Sequence, residues 1–227
     1  MSFTTVFENI AKIMAQYWDV FLIRGVSMTL LLSVITVFFG SILGSLFALG
    51  RRSRFAPLRF LIVAIVEVIR GTPILLQLYV GYFIVPQILS FAKVSDFTSI
   101  SIALVINSAA YVSEVIRSGI QAVDKGQTEA ARSLGLNGRQ TMLKIVLPQA
   151  IRNILPALGN EFIMVIKETS LASTFFIGDL MTSYLTVKGR TYLSLECLII
   201  VGTIYFILTF VLSKLVGLYE RRLKSRD

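Results

Sequence analysis

Apolar residues in this 227-residue chain fall in long runs separated by short, basic, polar segments. From Gly25 to Gly50 there is no Asp, Glu, Lys or Arg. A helix needs roughly 20 residues to cross the hydrocarbon of a bilayer, so a run of this length predicts a transmembrane helix and is too long for an ordinary core helix. The pattern gives five such segments: Val20–Leu49, Leu58–Leu89, Phe97–Ile120, Pro148–Ala172 and Tyr192–Leu218. The second is too long for one straight crossing, and Gly71 and Pro73 are placed to break or bend it, because proline lacks a backbone donor and crowds the preceding turn. In the first, Gly40 and Gly44 are spaced for close packing of another helix. The expectation is an all-α membrane protein of about five transmembrane helices, forming a single domain over residues 1–227.

Charge gives this bundle a direction. Arg51, Arg52, Arg54 and Arg59 follow the first segment; Arg117, Lys125, Arg132, Arg139, Lys144 and Arg152 lie around the loop between the third and fourth; Lys214, Arg221, Arg222, Lys224 and Arg226 close the chain. These fifteen face six on the other side: Lys12, Arg24, Lys93, Lys167, Lys188 and Arg190. Lys and Arg are retained in the cytoplasm, so the richer side faces in, with the N-terminus outside and the C-terminus in the cytoplasm. An odd number of crossings demands the same. The net charge of +9 is thereby explained by orientation and not by nucleic acid. Tyr17, Trp18, Tyr184 and Tyr192 are placed as interfacial anchors.

The one sizeable polar stretch is residues 121–147, on the cytoplasmic side. Ala130, Ala131 and Leu134 recur at helical spacing and predict a short amphipathic helix, which Gly135 is suited to end. Asn137 and Gln140 have the spacing of an N-cap and its capping-box partner, opening a second helix. Pro148 marks a break before the fourth crossing. The loop is therefore an ordered helix-turn-helix with an apolar face that nothing else in the sequence covers.

Composition excludes several chemistries. The chain has no histidine and a single cysteine, Cys197, in an apolar run. That removes the commonest general base and metal ligand, and any internal disulfide. No Gly-x-x-x-x-Gly-Lys-Ser/Thr phosphate loop is present, so the chain has no ATPase site of its own. The stretch from Met1 to Trp18 lacks the pattern of a cleaved signal peptide.

Glu129-Ala130-Ala131, then Gly135, Ile145, Leu147 and Pro148, resembles the EAA motif of the permease subunits of ATP-binding-cassette (ABC) importers, with every defining position at its spacing. Three other stretches resemble the polar amino-acid branch of that family: Glu67 to Gln77, Tyr111 to Ile120, and Gly159 to Ile163 with Lys167 to Leu171. The resemblance covers nearly the whole chain. It implies the type I importer architecture in a bacterial plasma membrane, with a second permease, homo- or heterodimeric. It further implies cytoplasmic ATPase subunits docked on the 121–147 unit, an extracytoplasmic amino-acid-binding protein, and a polar amino acid as cargo. Glu129, Ala130, Ala131 and Gly135 would couple the permease to the ATPase, which uses ATP and Mg; no cofactor is expected on this chain.

Ionisable residues inside the bilayer are costly and are functional candidates by default. Glu161 lies near the middle of the fourth segment beside Asn160, with Glu168 two turns on along the same face. A carboxylate there meets either the ammonium group of an amino acid or an interhelical cation such as Arg70. Arg70, before the Gly71-Thr72-Pro73 break, meets either the substrate carboxylate or Glu67 one turn away. Gln77 shares the face of Arg70 and is a hydrogen-bonding candidate. Asn107, Tyr111 and Glu114 form a stripe on the third segment, and Glu114 with Arg117 is expected to lock helices near the cytoplasmic face.

Overall fold

The structure, a computed structural model, describes residues 3–91 and 93–224; Met1 and Arg226 lie outside them. Helix follows helix in the order α1 (Phe3–Trp18), α2 (Val26–Gly50), α3 (Ala56–Arg70), α4 (Ile74–Ile88), α5 (Asp96–Gln121), α6 (Lys125–Ser133), α7 (Gly138–Thr141), α8 (Leu147–Glu168), α9 (Leu180–Thr191) and α10 (Ser194–Lys224). Among the described residues there is no strand.

α5 is the hub. It packs against α2, α8, α4 and α3, and small residues bring the backbones close. A Cβ built on Gly40 of α2 would stand 2.7 Å from Ser108 Oγ, and one on Gly44 would stand 2.7 Å from the Ala109 carbonyl oxygen. Gly119 of α5 abuts Ile154 of α8, and Gly81 of α4 abuts Ala103. Such contacts supply the dispersion attraction that holds helices together in lipid, where the hydrophobic effect offers little. Leu32, Leu78, Ile100 and Leu104 fill the space between α2, α4 and α5. A second cluster joins α1, α9 and α10 through Ile13, Phe21, Leu180, Val187, Cys197 and Ile200.

The outward faces are apolar. Phe38 is 60% exposed, Phe60 77% and Phe206 65%. Surfaces of this kind require a lipid or protein covering.

The membrane segments differ in detail from the expected five. Thr4–Gly50 is one helical stretch of 47 residues, at roughly 1.5 Å per residue more than twice the thickness of a bilayer core. The π-helical turn Asp19–Gly25 interrupts it, and the charges of Asp19 and Arg24 divide an amphipathic N-terminal helix from the apolar α2. α3 and α4 are bent by 113° at the Gly71–Pro73 break, where Pro73 is extended, with ψ 134°, and caps α4. By length and apolarity three helices qualify as spans, or four with the bent pair taken as one. α8 does not reach that measure, because Arg152, Asn153, Asn160 and Glu161 interrupt its apolar face.

Pro148 does not break the chain. The π-turn Met142–Val146 joins α7 to α8, and the Leu147 N–H donates to Met142 O, five residues back. Proline cannot donate to the carbonyl of residue 144 and crowds it, so the turn widens and the helix continues. Tyr184 is also not an interfacial anchor: it is buried, with its hydroxyl 2.9 Å from Ser194 Oγ. Trp18 and Tyr192 are exposed as anchors should be.

Candidate functional site

The unit at residues 121–147 is built from ordinary helix-end chemistry. Asp124 caps α6, its Oδ1 accepting from Gly126 N–H at 2.7 Å. The helix closes on Gly135, at φ +83°, a conformation that favours glycine. The Gly135 N–H donates to Arg132 O and the Leu136 N–H to Ala131 O, the paired closing bonds of a left-handed C-cap. Asn137 then opens α7 with a complete capping box: its Oδ1 accepts from Gln140 N–H at 2.9 Å, and its own N–H donates to Gln140 Oε1 at 3.0 Å. Ala131 is buried, which fixes α6 to the body, whereas Glu129, Ala130 and Gly135 are exposed and Leu134 is 84% exposed. The result is a stiff turn with a small-residue surface and a bare leucine at its apex.

Behind it, the bundle is fastened by Glu114. Its carboxylate accepts from Arg51 Nη1 at 3.0 Å and from Arg117 Nε at 3.0 Å, and lies 3.5 Å from Arg70 Nη1. Three helices, α2, α3 and α5, thus converge on one anion. The expected lock of Glu114 with Arg117 is present and is joined by two further arginines. Arg70 pairs with Glu114 and not with Glu67 or Glu161, and its guanidinium also stands 5.8 Å from the ring centre of Tyr111. The half-buried Glu114 offers a less solvated partner than the exposed Glu67.

Gln77 closes the helix break. Its Nε2 donates to Ile69 O at 2.6 Å and to the Thr72 hydroxyl at 2.9 Å, and its Oε1 accepts from Asn107 Nδ2 at 2.8 Å. The carbonyl freed by the break is thereby satisfied inside the protein, and α4 is tied to α5.

Glu161 is of a different kind. It is 8% exposed on α8 and faces α5. Among the described residues its partner is the hydroxyl of Ser108, which donates to Oε1 at 3.5 Å, a long and weak bond. It forms no ion pair among the described residues. Glu168, two turns on along the same side of α8, is half-buried, whereas Asn160 is exposed and does not share the buried setting of Glu161. Arg70 and Gln77 belong to the α3–α4–α5 side and are not brought to Glu161.

Two buried acids escaped the sequence reading. Glu196, within the apolar α10, is 1% exposed and accepts from Asn9 Nδ2 at 3.0 Å, pinning α1 to α10. Asp179 caps α9, accepting from Met181 N–H at 2.9 Å and from the Thr182 hydroxyl. The cap was foreseeable, since Asp-Leu-Met-Thr is a helix-start pattern.

A helical bundle with a broken second hydrophobic segment and a capped helix-turn-helix bearing Glu-Ala-Ala and Gly defines a transport permease of the ABC importer class. Residues 37–225 match the family of binding-protein-dependent transport system inner membrane components, and the chain belongs to that family. It is 42% identical to the arginine transport system permease protein ArtQ of Bacillus subtilis over 91% of this chain and 94% of the relative. It is 39% identical to a putative glutamine transport system permease protein, GlnP, of Rickettsia bellii over 96% and 99%. With the L-cystine transport system permease protein TcyB of Bacillus subtilis it shares 36% identity over 92% and 88%. Among solved structures, one described as an amino acid ABC transporter with histidines superposes with a TM-score of 0.87 at 44% identity, covering 92% of this chain and 96% of that one. The inward-facing MetNI methionine transporter, at 20% identity, TM-score 0.73 and 89% and 96% coverage, shows the shared fold. The chain is thus an inner-membrane component of a multi-subunit machine, of a class that works with an ATPase partner and a second permease.

Proposed function

We propose that this permease translocates a polar amino acid by alternating access, driven by ATP hydrolysis in a separate cytoplasmic subunit. ATP and Mg act on that subunit, and this chain holds no cofactor of its own. The relatives named for arginine, glutamine and cystine transport support an amino acid as cargo. An extracytoplasmic binding protein delivers it. The basic-residue asymmetry supports an N-terminus outside and a C-terminus in the cytoplasm, with α8 as the remaining polar crossing.

The observation that carries the reading is the turn at Gly135. A rigid, capped helix-turn-helix whose Leu134 is 84% exposed is a surface waiting for a protein groove. Glu129, Ala130, Ala131 and Gly135 form the ATPase-coupling element. Within the membrane, Glu161 is the principal substrate residue, with Asn160 and Glu168 on the same helix. A buried carboxylate with a single weak hydrogen bond is stabilised by a cation, which an amino-acid ammonium supplies. Arg70 and Gln77 reach substrate only in a state that releases them from Glu114 and from the helix break.

The test is purification of the tagged chain in mild detergent with counting of its partners, followed by uptake in vesicles. Two ATPase subunits per two permeases are expected, and Gly135→Asp should abolish ATP-driven uptake while the chain still inserts in the membrane. Recovery without an ATPase, where a control transporter stays intact, or normal uptake by the variant, would overturn the coupling role.

A further inference from the structure

The basic end of the bundle holds a cavity of about 320 Å³ between α2, α3 and α5. Three of its lining residues, Arg51, Arg52 and Arg117, are arginines, and none is acidic. Glu114 does not compensate them, because that one carboxylate already serves Arg51, Arg117 and Arg70. Arg52 makes no ion pair among the described residues. The local excess of positive charge is unbalanced by any other described residue lining the cavity.

Beside the arginines the lining is largely apolar. Val63, Ile116 and Ile120 form it, and the exposed Phe60 and Leu61 continue the apolar surface along α3. The cavity also sits where the apolar α2 gives way to Arg51 and Arg52, the level at which a lipid carries its phosphate. A soluble anion would use the guanidiniums and leave the apolar wall unmatched.

The geometry points to a binding site for the phosphate of an anionic phospholipid, held between the guanidiniums of Arg51, Arg52 and Arg117 with its acyl chains along Val63, Ile116 and Ile120. Guanidinium offers paired donors that match phosphate oxygens. Basic pockets between transmembrane helices are suited to such headgroups. Ionic partners within the protein fix the orientation of Arg51 and Arg117, so the site is pre-formed, while Arg52 is the free arm that closes on the ligand.

The test uses the intact transporter complex purified in mild detergent, with phosphatidylglycerol, phosphatidylcholine and inorganic phosphate as probes. Lipid retained through extensive washing is identified by mass spectrometry, and thermal stability is followed as each probe is added. Phosphatidylglycerol should be retained several-fold above its share of the membrane and should raise the melting temperature, while phosphatidylcholine should do neither. Arg52→Gln should cut retention at least threefold without altering subunit composition or the melting temperature in lipid-free detergent. Arg52→Lys should retain an intermediate amount. Equal stabilisation by inorganic phosphate and phosphatidylglycerol would assign the site to a soluble anion and overturn the lipid. Unchanged retention by Arg52→Gln, or loss of the ATPase from that variant, would overturn the site itself and, in the second case, assign the arginine to subunit docking.

Discussion

Two carboxylates sit in the same helical bundle and are treated in opposite ways. Glu114 on α5 is shared by Arg51, Arg70 and Arg117, from three helices. Glu161 on α8 is more deeply buried, at 8% exposure, yet among the described residues has only the 3.5 Å bond from Ser108. Burial of a charge is costly unless it is paired and hydrogen-bonded. Glu114 meets that requirement within the protein, so its role is complete in the folded chain. Glu161 does not, which is the contrast on which its proposed role as a substrate residue rests.

Removing the fastener should produce the largest effect. Glu114→Ala leaves three guanidiniums facing one another and should destabilise the permease by about 3 kcal/mol. It would be read as a lowered melting temperature of the purified complex and reduced yield. Glu114→Gln, which keeps an acceptor and loses the charge, should fall between. If Glu114→Ala melts like the parent, the convergence of α2, α3 and α5 does not depend on that anion and the contrast with Glu161 fails.

The next effect tests whether the close approach of α2 and α5 is equally structural. Gly40→Leu drives a side chain into Ser108, where a Cβ alone would stand 2.7 Å from Oγ. Overpacking of this kind costs about 2 kcal/mol. Gly202→Leu on α10 is the control, because nothing lies within 4 Å of a Cβ there. Equal stability of the two variants would show that the helices part without penalty. Unequal stability would make Gly40 a second fastener, beside the hydroxyl on which Glu161 depends.

What was legible in the sequence follows from range. The break at Gly71 and Pro73, the left-handed Gly135 and the Asn137–Gln140 box all rest on interactions within a few residues, and each is found where the pattern puts it. Gly40 and Gly44 announce a close helix approach, but their partners on α5, Ser108 and Ala109, lie more than 60 residues on and could not be read from them. The partners of Glu114 were only partly legible. Arg117 is one turn away, but Arg51 is 63 residues distant, and no local period encodes a pairing across helices. α9 was missed because Thr182, Ser183 and Thr186 interrupt its apolar residues, so no long apolar run marks it. Its burial comes from packing on the π-turn Asp19–Gly25 and on α10. The break expected at Pro148 became a π-turn because a helix can absorb one missing donor by widening. Asn160 and Glu161 are adjacent and so point about 100° apart on α8; what periodicity did not give is which of the two is buried against α5 and which is exposed.

The smallest effect on stability should accompany the sharpest effect on transport. Glu161→Gln preserves shape and can still accept from Ser108, so the lost carboxylate removes at most a long, weak bond. The melting temperature should change by less than that of Gly40→Leu, and the variant complex should assemble with its partners. Uptake, in contrast, should fall at least tenfold or shift in selectivity, because an amide cannot neutralise a substrate cation in a water-poor site. An acidic group restored by Glu161→Asp should recover part of the uptake, which a purely structural role would not predict, since the shorter side chain moves away from Ser108. Unchanged uptake of several amino acids by Glu161→Gln would make Glu161 a fastener like Glu114 and erase the distinction between the two carboxylates.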